Sequence, residues 1–279
     1  MALYCPKAIN FTPGVWAQGG SGVVGNFFPW YGSPFIDITA ANYASLSASV
    51  GLTLGDYWWN NGTMQGCEGN AFMFVKANAA LTLGQIVQID APTAGTYTSA
   101  GSTASKTVTN ITTTATNVEV DNWLNCIATG QSVPQMRRIK ANTSGANAVF
   151  TISLPDYLRP SLPNDQDVWT TTPTNGDPLQ VIRPWNVVVG TTAGIPVGVA
   201  LGSVTSGSYT IVQVAGICNV IANGTTTTAV NAPATLGTLG RVIGLGAASQ
   251  YAAGWTILPQ VANNTAGTFI PAYVNFIGV

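Results

Sequence analysis

The sequence predicts an all-β protein with a small β-barrel or β-sandwich core and an extended, aromatic-rich N-terminal arm. Segments dominated by Thr, Val and Ile recur along the chain, and these β-branched residues pack well on a pleated surface. Gly, Pro, Asn and Asp separate the segments, as turns require. Helical periodicity is confined to residues 39–50, for which Thr39 is the predicted N-cap. These observations argue against a helical fold.

Composition divides the chain into three regions. Residues 1–75 hold most of the large aromatic side chains, spaced by Gly and Pro without a repeat, and are predicted to form the arm. Residues 76–183 are predicted to form a β domain that carries a Pro- and Asp-rich loop at residues 154–169. Residues 184–279 are nearly uncharged and are predicted to complete the barrel or sandwich.

Runs of consecutive aromatic residues in the arm predict contacts with another surface. Neighbouring side chains of an extended chain point in different directions, so all of them cannot enter one core. Aromatic residues are also the usual anchors of protein interfaces. With two aromatic residues near the C-terminus, the predicted interface residues are Trp16, Phe27, Phe28, Trp30, Tyr31, Tyr57, Trp58, Trp59, Tyr273 and Phe276.

The strongest strand pattern covers residues 208–221. Both of its alternating faces are largely apolar, so it predicts a strand covered on two sides, by the core and by a second layer or a partner subunit. Residues 269–279 have a similar apolar pattern. Further strands are predicted at residues 85–90, 107–111, 117–120, 148–154, 179–183, 185–189 and 196–201.

Charge is scarce in this chain. Its 279 residues include nine Lys or Arg, ten Asp or Glu and no His, which is 7% charged and a net charge of −1. In soluble domains, about 25% of the residues are Asp, Glu, Lys or Arg. Because desolvating a charge costs several kcal/mol, whereas an amide or hydroxyl that finds a new hydrogen bond costs little, such a surface favours burial against other proteins. After Arg183, the only charged residue is Arg241.

The composition also argues against several classes of protein. Nucleic-acid binding needs several basic residues to neutralise phosphates, and Arg137-Arg138 is the only adjacent basic pair. The mean hydropathy of +0.27 is high for a soluble protein, but the sequence contains no run of 18 apolar residues, which a membrane-spanning helix would need. The N-terminus lacks the pattern of a signal peptide. We therefore expect a soluble protein. Its four cysteines, Cys5, Cys67, Cys126 and Cys218, are expected to be reduced, and disulfide bonds are the alternative.

The sequence predicts no enzyme, cofactor or metal site. Without histidine, the commonest general base and metal ligand is missing, and no nucleophile-elbow, zinc-protease or phosphate-loop motif occurs. Paired carboxylates, as used in glycoside hydrolysis, occur at Glu119 with Asp121 and at Asp165 with Asp167, where we expect solvated side chains. A calcium site is the alternative, with ligands drawn from Asp156, Asp165, Asp167 and Asp177.

Two segments, residues 79–90 and residues 195–216, resemble parts of the capsid decoration (cement, head-stabilising) proteins of tailed bacteriophages. Small β-barrel domains of that family open with a G-x-x-V strand, later carry a V-G-V-A strand, and then a turn glycine followed by a V-x-V-x-G-like strand. The corresponding residues here are Gly84–Val87, Val197–Ala200, Gly207, Val212, Val214 and Gly216. Residues 91–194 separate the two halves of the pattern, and the arm has no counterpart in small family members.

The resemblance implies a structural role on the exterior of an icosahedral capsid, assembled in the host cytoplasm. Copies would bridge subunits of the major capsid protein, and a homo-oligomer, with a trimer favoured, is expected. Two other classes remain open. A phage tail, fibre or receptor-binding component shares this composition, although we find no repeat. A carbohydrate-binding module would use exposed Trp58 and Trp59 as sugar platforms.

Overall fold

The computed structural model shows an all-β protein, as the sequence predicts. Sixteen strands account for about half of the residues that the structure describes. The described residues are 37–44, 54–55, 57–59, 70–98, 106–127, 135–153, 169, 173–192, 194–224, 230, 232–244, 256–262 and 265–276.

The strands are numbered in chain order. They are β1 (Tyr57–Trp59), β2 (Ala71–Ala77), β3 (Ile86–Ile89), β4 (Thr93–Thr96), β5 (Lys106–Val108), β6 (Trp123–Cys126), β7 (Gln135–Asn142), β8 (Val149–Ser153), β9 (Pro178–Ile182), β10 (Asn186–Val189), β11 (Pro196–Ala200), β12 (Tyr209–Ile221), β13 (Ala234–Leu236), β14 (Val242–Gly244), β15 (Thr256–Pro259) and β16 (Phe269–Asn275).

The chain divides into two compact units. Unit 1 comprises residues 1–90 and 185–279, and unit 2 comprises residues 91–184, inserted between β3 and β10. The compositional boundary at 183/184 lies beside one end of the insertion, whereas the boundary at 75/76 falls inside β2.

Unit 1 contains a closed five-stranded barrel. Its strands follow the order β2-β10-β3-β11-β12, and β12 returns to pair with β2. Only the β2–β10 pair is parallel. Because β12 is 13 residues long, it continues beyond the barrel and pairs with β16, which in turn pairs with β15. The sheet therefore extends from the barrel as a three-stranded platform.

The first half of β12 is covered on both sides, as the sequence predicts. Val212 and Val214 point into the barrel core, while the ring of Tyr209 on the opposite face stacks on Tyr43 with 4.0 Å between ring centroids. Tyr43 belongs to a helical segment at residues 40–44. Thr39 caps it as predicted, since its Oγ1 accepts a hydrogen bond from the Asn42 N–H at 3.3 Å. Residues 45–50 of the predicted helix lie outside the described residues.

The second half of β12 differs from the prediction because Ile217 is 62% exposed. The change occurs at Gly216, whose φ is +98°. The pairing of β12 with β2 shifts register just before it, between Gln213 and Ala215. A side chain at Gly216 would also collide with Asn70, whose Oδ1 lies 1.9 Å from the position of a Cβ. A glycine is therefore required where β12 leaves the barrel.

Unit 2 is a six-stranded antiparallel sheet in the order β4-β9-β6-β7-β8-β5. A bridge between Tyr97 and Thr109 joins its two end strands. The inner face is filled by one apolar cluster that includes Leu124, Phe150 and Trp169.

The strand predicted at residues 117–120 is wrong. The segment forms turns, in which Asn117 and Asp121 adopt positive φ angles of 61° and 72°. Asn and Asp tolerate this left-handed conformation, which a strand excludes. The other predicted strands are present, with ends shifted by up to three residues. In the C-terminal segment, residues 269–275 form a strand, and residues 277–279 lie outside the described residues. The sequence patterns did not predict β1, β2, β4, β6, β7, β13, β14 and β15.

Candidate protein-interaction surface

The scarcity of charge belongs to unit 1. Unit 2 contains twelve of the 19 charged residues although it is the smaller unit, and the remaining seven are spread over the two segments that form unit 1. They are Lys7, Asp37, Asp56, Glu68, Lys76, Asp90 and Arg241. The fold thus joins the nearly uncharged C-terminal segment to the charge-poor first 90 residues. Unit 1 is the part whose surface is least costly to bury against another protein.

The three-stranded platform of unit 1 presents an exposed apolar face. Tyr273 of β16 lies between Ile217 of β12 and Leu258 of β15, and Phe269 lies opposite Ile221. Directly paired residues of an antiparallel sheet point to the same side. Ile217, Phe269 and Tyr273 are exposed, and the others are partly buried. We call this surface the apolar face: Ile217, Ile221, Leu258, Phe269, Pro271 and Tyr273.

The opposite side of the same platform is a packed core. Val220, Ile257, Ile270 and Val274 are at most 1% exposed and belong to one apolar cluster. The strict alternation between a buried and an exposed side is typical of a sheet with one covered face. What distinguishes this sheet is that most of its outward side chains are apolar, where water-facing positions are usually polar.

Hydrogen bonds hold the central residue of the apolar face in place. The Gln213 side-chain Nε2 donates to the backbone carbonyls of Ala215 and Ile217, at 3.1 Å each. The Ile217 N–H donates to Asn70 Oδ1 at 3.1 Å. Gln213 is itself buried. The backbone on both sides of Gly216 is therefore tied down, and Ile217 is presented from a rigid position.

Gly84 leaves room for the ring of Phe269 against its backbone. Its φ is +78°, and a Cβ there would come within 2.8 Å of Phe269 Cε1 and 3.2 Å of Ile221 Cγ1. Phe269 and Ile221 thus meet above a backbone that has no side chain of its own. Gly84 is one of the glycines in the decoration-protein pattern.

The predicted interface residues are distributed as follows. Tyr273 lies on the apolar face, whereas Phe276 is buried in the core cluster beneath it. Tyr57 in β1 is partly buried and packs on the barrel core. Trp58 and Trp59 lie in β1, and their side chains lie outside the described residues. So do the remaining five residues: Trp16, Phe27, Phe28, Trp30 and Tyr31.

Sequence reasoning missed Ile217 and Phe269 as surface residues. Both belong to apolar strand patterns, which by themselves indicate burial. The available signal was Gly216, since an isolated glycine in a strand often marks a bulge, after which the faces of β12 are no longer equivalent.

The N-terminal segment joins unit 1 at the start of β12. Ile38 and Tyr209 exchange backbone hydrogen bonds of 2.9 and 2.8 Å, and the Asp37 carboxylate accepts bonds from the Thr205 N–H at 3.0 Å and Oγ1 at 2.8 Å. Partial burial raises the pKa of Asp37, but hydrogen bonds from Thr205 and Ser208 outweigh it and lower the pKa overall. Residues 37 and 38 are therefore anchored on unit 1 beside the start of β12.

The described carboxylates that were candidates for catalysis or calcium binding have structural partners. Glu119, expected to be solvated, is buried and forms a two-pronged ion pair with Arg183, with Oε1–Nη2 and Oε2–Nε distances of 2.6 and 2.8 Å. Asp121 pairs with Arg138, and Asp177 Oδ2 accepts a hydrogen bond from the Thr174 N–H. Asp156, Asp165 and Asp167 lie outside the described residues. Among the residues that are described, no three potential ligands cluster as a metal site.

Two of the four cysteines are described, and neither forms a disulfide bond. Cys126 is buried in the core of unit 2. Cys218 lies in β12, where burial raises its pKa to about 12. Cys5 and Cys67 fall outside the described residues. Within the described ranges, no helix is both long and apolar enough to cross a membrane.

Comparison with protein-family models, curated proteins and solved structures finds no match to this chain.

Proposed function

We propose that this chain is a structural virion protein that decorates a phage capsid and stabilises it by bridging major capsid protein subunits. The observation that carries the proposal is the scarcity of charge in unit 1, which holds seven of the 19 charged residues. Charges are concentrated instead in the inserted unit 2. Contact with the shell is therefore assigned to unit 1, where desolvation costs least.

The energetics favour assembly through such a surface. Burying one exposed aliphatic or aromatic side chain contributes about 1.5–3 kcal/mol, and a shell repeats each contact by its symmetry. A specific contact usually buries roughly 1,600 Å² in total, so unit 1 and the aromatic arm would both take part. An interface without ion pairs is insensitive to salt, because there is little charge to screen.

The first experiment asks where the chain is found. Virions are purified on a density gradient and separated into heads and tails, and the fractions are analysed by mass spectrometry. The proposal expects the chain with heads, whereas its presence with tails favours a tail, fibre or receptor-binding component. A polysaccharide pull-down tests the carbohydrate-binding alternative.

The second experiment tests how the chain is held. Particles are washed at about tenfold higher ionic strength, a change that shortens the Debye length about threefold. The chain is expected to remain bound, and release by salt alone would contradict attachment through an uncharged surface. A chain that lacks residues 1–35 is expected to fold and to lose attachment, since the arm supplies the predicted aromatic anchors. Retained attachment would place the contact elsewhere.

A further inference from the structure

We propose that the apolar face is a contact between two copies of this chain, related by a two-fold axis. The inference deepens the proposed function and rests on it, because a protein that decorates a shell stands beside other copies of itself. The apolar face contacts a second copy of the chain, whereas the rest of unit 1 and the arm contact the capsid protein.

The first reason is charge. A two-fold contact brings the same patch of both copies together, so a charged side chain in the patch would meet its own sign or be buried without a partner. Strands β12, β15 and β16 contain no charged residue. The face is therefore free of the feature that most strongly prevents a surface from packing against itself.

The second reason is the type of polar group on the face. Asn219 and Asn275 of β12 and β16 point to the same side as Ile217 and Tyr273, because they occupy the same alternate positions. An amide carries both donors and an acceptor. An amide can thus be buried against the same group of a second copy without bringing like charges together, as two carboxylates or two ammonium groups would.

The third reason is area. The exposed parts of the six apolar side chains and the two asparagines amount to roughly 500 Å², given that one large side chain offers about 150–250 Å² when fully exposed. Two such faces would bury about 1,000 Å² in total, which reaches the lower bound for a specific interface. The contact is therefore expected to be modest in solution and stronger where a shell raises the local concentration.

The face is also preorganised for a flat contact. Pairing of β12 with β16 continues without interruption from Ala215 to Ile221, and the reverse side is core. Little conformational freedom remains to be lost on association, which removes one of the main costs of binding.

The test uses the full-length protein and sedimentation equilibrium, with three variants. Ile217→Asp and Tyr273→Asp place a carboxylate in the face. Ile195→Asp is the matched control, since Ile195 is 72% exposed in unit 1 but lies outside the three strands. Circular dichroism and the unfolding midpoint establish that each variant is folded. Two separate positions keep the test valid if one variant fails to fold.

The wild type and Ile195→Asp are expected to form dimers, whereas Ile217→Asp and Tyr273→Asp raise the dissociation constant by about tenfold or more, because each buries two like charges. A wild type that stays monomeric, or a trimer as the family resemblance implies, would overturn the two-fold contact. So would equal association of Ile217→Asp and Ile195→Asp. Co-purification with heads is a separate readout, so a monomer found on heads overturns this inference alone, and a dimer absent from virions overturns the proposed function alone.

Discussion

Breaking the buried ion pair of unit 2 should strongly destabilise that unit. Arg183 and Glu119 have side-chain exposures of only 10% and 8%. Glu119 Oε2 also accepts a hydrogen bond from Asn122 at 2.9 Å, and Arg183 Nη1 donates to Thr93 Oγ1 at 2.7 Å. In Arg183→Met, the Glu119 carboxylate would remain buried and lose both bonds to the guanidinium.

The expected loss is about 3–5 kcal/mol of unfolding free energy, the usual cost of leaving one member of a buried pair uncompensated. The double variant Glu119→Gln with Arg183→Met should recover part of this loss, because no charge then remains buried. Urea unfolding followed by tryptophan fluorescence measures both. Trp123 and Trp169 report on unit 2.

The pair between Asp121 and Arg138 is the matched control. Its side chains are 35% and 36% exposed, so Asp121→Asn should cost less than about 1 kcal/mol, as surface pairs do. If Arg183→Met cost no more than Asp121→Asn, the electrostatic reasoning for unit 2 would be refuted. Arg183→Met should also leave the proposed capsid attachment intact under conditions in which unit 2 remains folded, because the proposed shell contact lies in unit 1.

Three further predictions concern unit 1. Gly84→Ala should destabilise the protein by about 1–2 kcal/mol through its positive φ alone, and by more through the clash with Phe269; urea unfolding that shows no loss would contradict the packing described. The Cys218 thiol, with its pKa of about 12, should react with an alkylating reagent at pH 8 on the order of a thousandfold more slowly than an exposed thiol of ordinary pKa. Its rate should rise about tenfold per pH unit, and a fast reaction of the native protein at pH 8, measured by peptide mass spectrometry, would show that the pKa is not raised. Because the pKa of Asp37 is lowered in the folded protein, the stability that its carboxylate contributes is complete above the ordinary aspartate pKa. It is lost as the pH falls through the pKa of the folded protein. Asp37→Asn should thus increase amide hydrogen exchange at Ile38 at neutral pH and make little difference in strong acid; equal exchange at neutral pH would show that Thr205 does not anchor the segment.

The sequence pattern predicted β12 because an apolar, β-branched segment of that length, without helical periodicity, is typical of a covered strand. The prediction failed after Gly216, where the side of the strand that faces away from the core is no longer covered and Ile217 is exposed. Periodicity reports whether a side chain is apolar and does not report what covers it. The exposure of Ile217 therefore depends on how β12, β16 and β15 are arranged, which the sequence pattern does not give.

Other features depended on contacts that no local pattern encodes. Glu119 and Arg183 are 64 residues apart in sequence, so their pairing appears only when the sheet of unit 2 forms. The same holds for the closure of the barrel, in which β2 and β12 pair across the whole inserted unit. The scarcity of charge, by contrast, was evident in the sequence, and the fold added that it belongs mainly to one unit.

The most direct test of the central claim, that neighbouring proteins cover unit 1 and leave unit 2 accessible, is hydroxyl-radical footprinting of the chain on intact virions and free in solution. Ile127 and Met136 are exposed residues of unit 2, and they should label equally in both states, while assembly lowers labelling in unit 1. Loss of labelling at Ile127 and Met136 with unit 1 unchanged would contradict the claim.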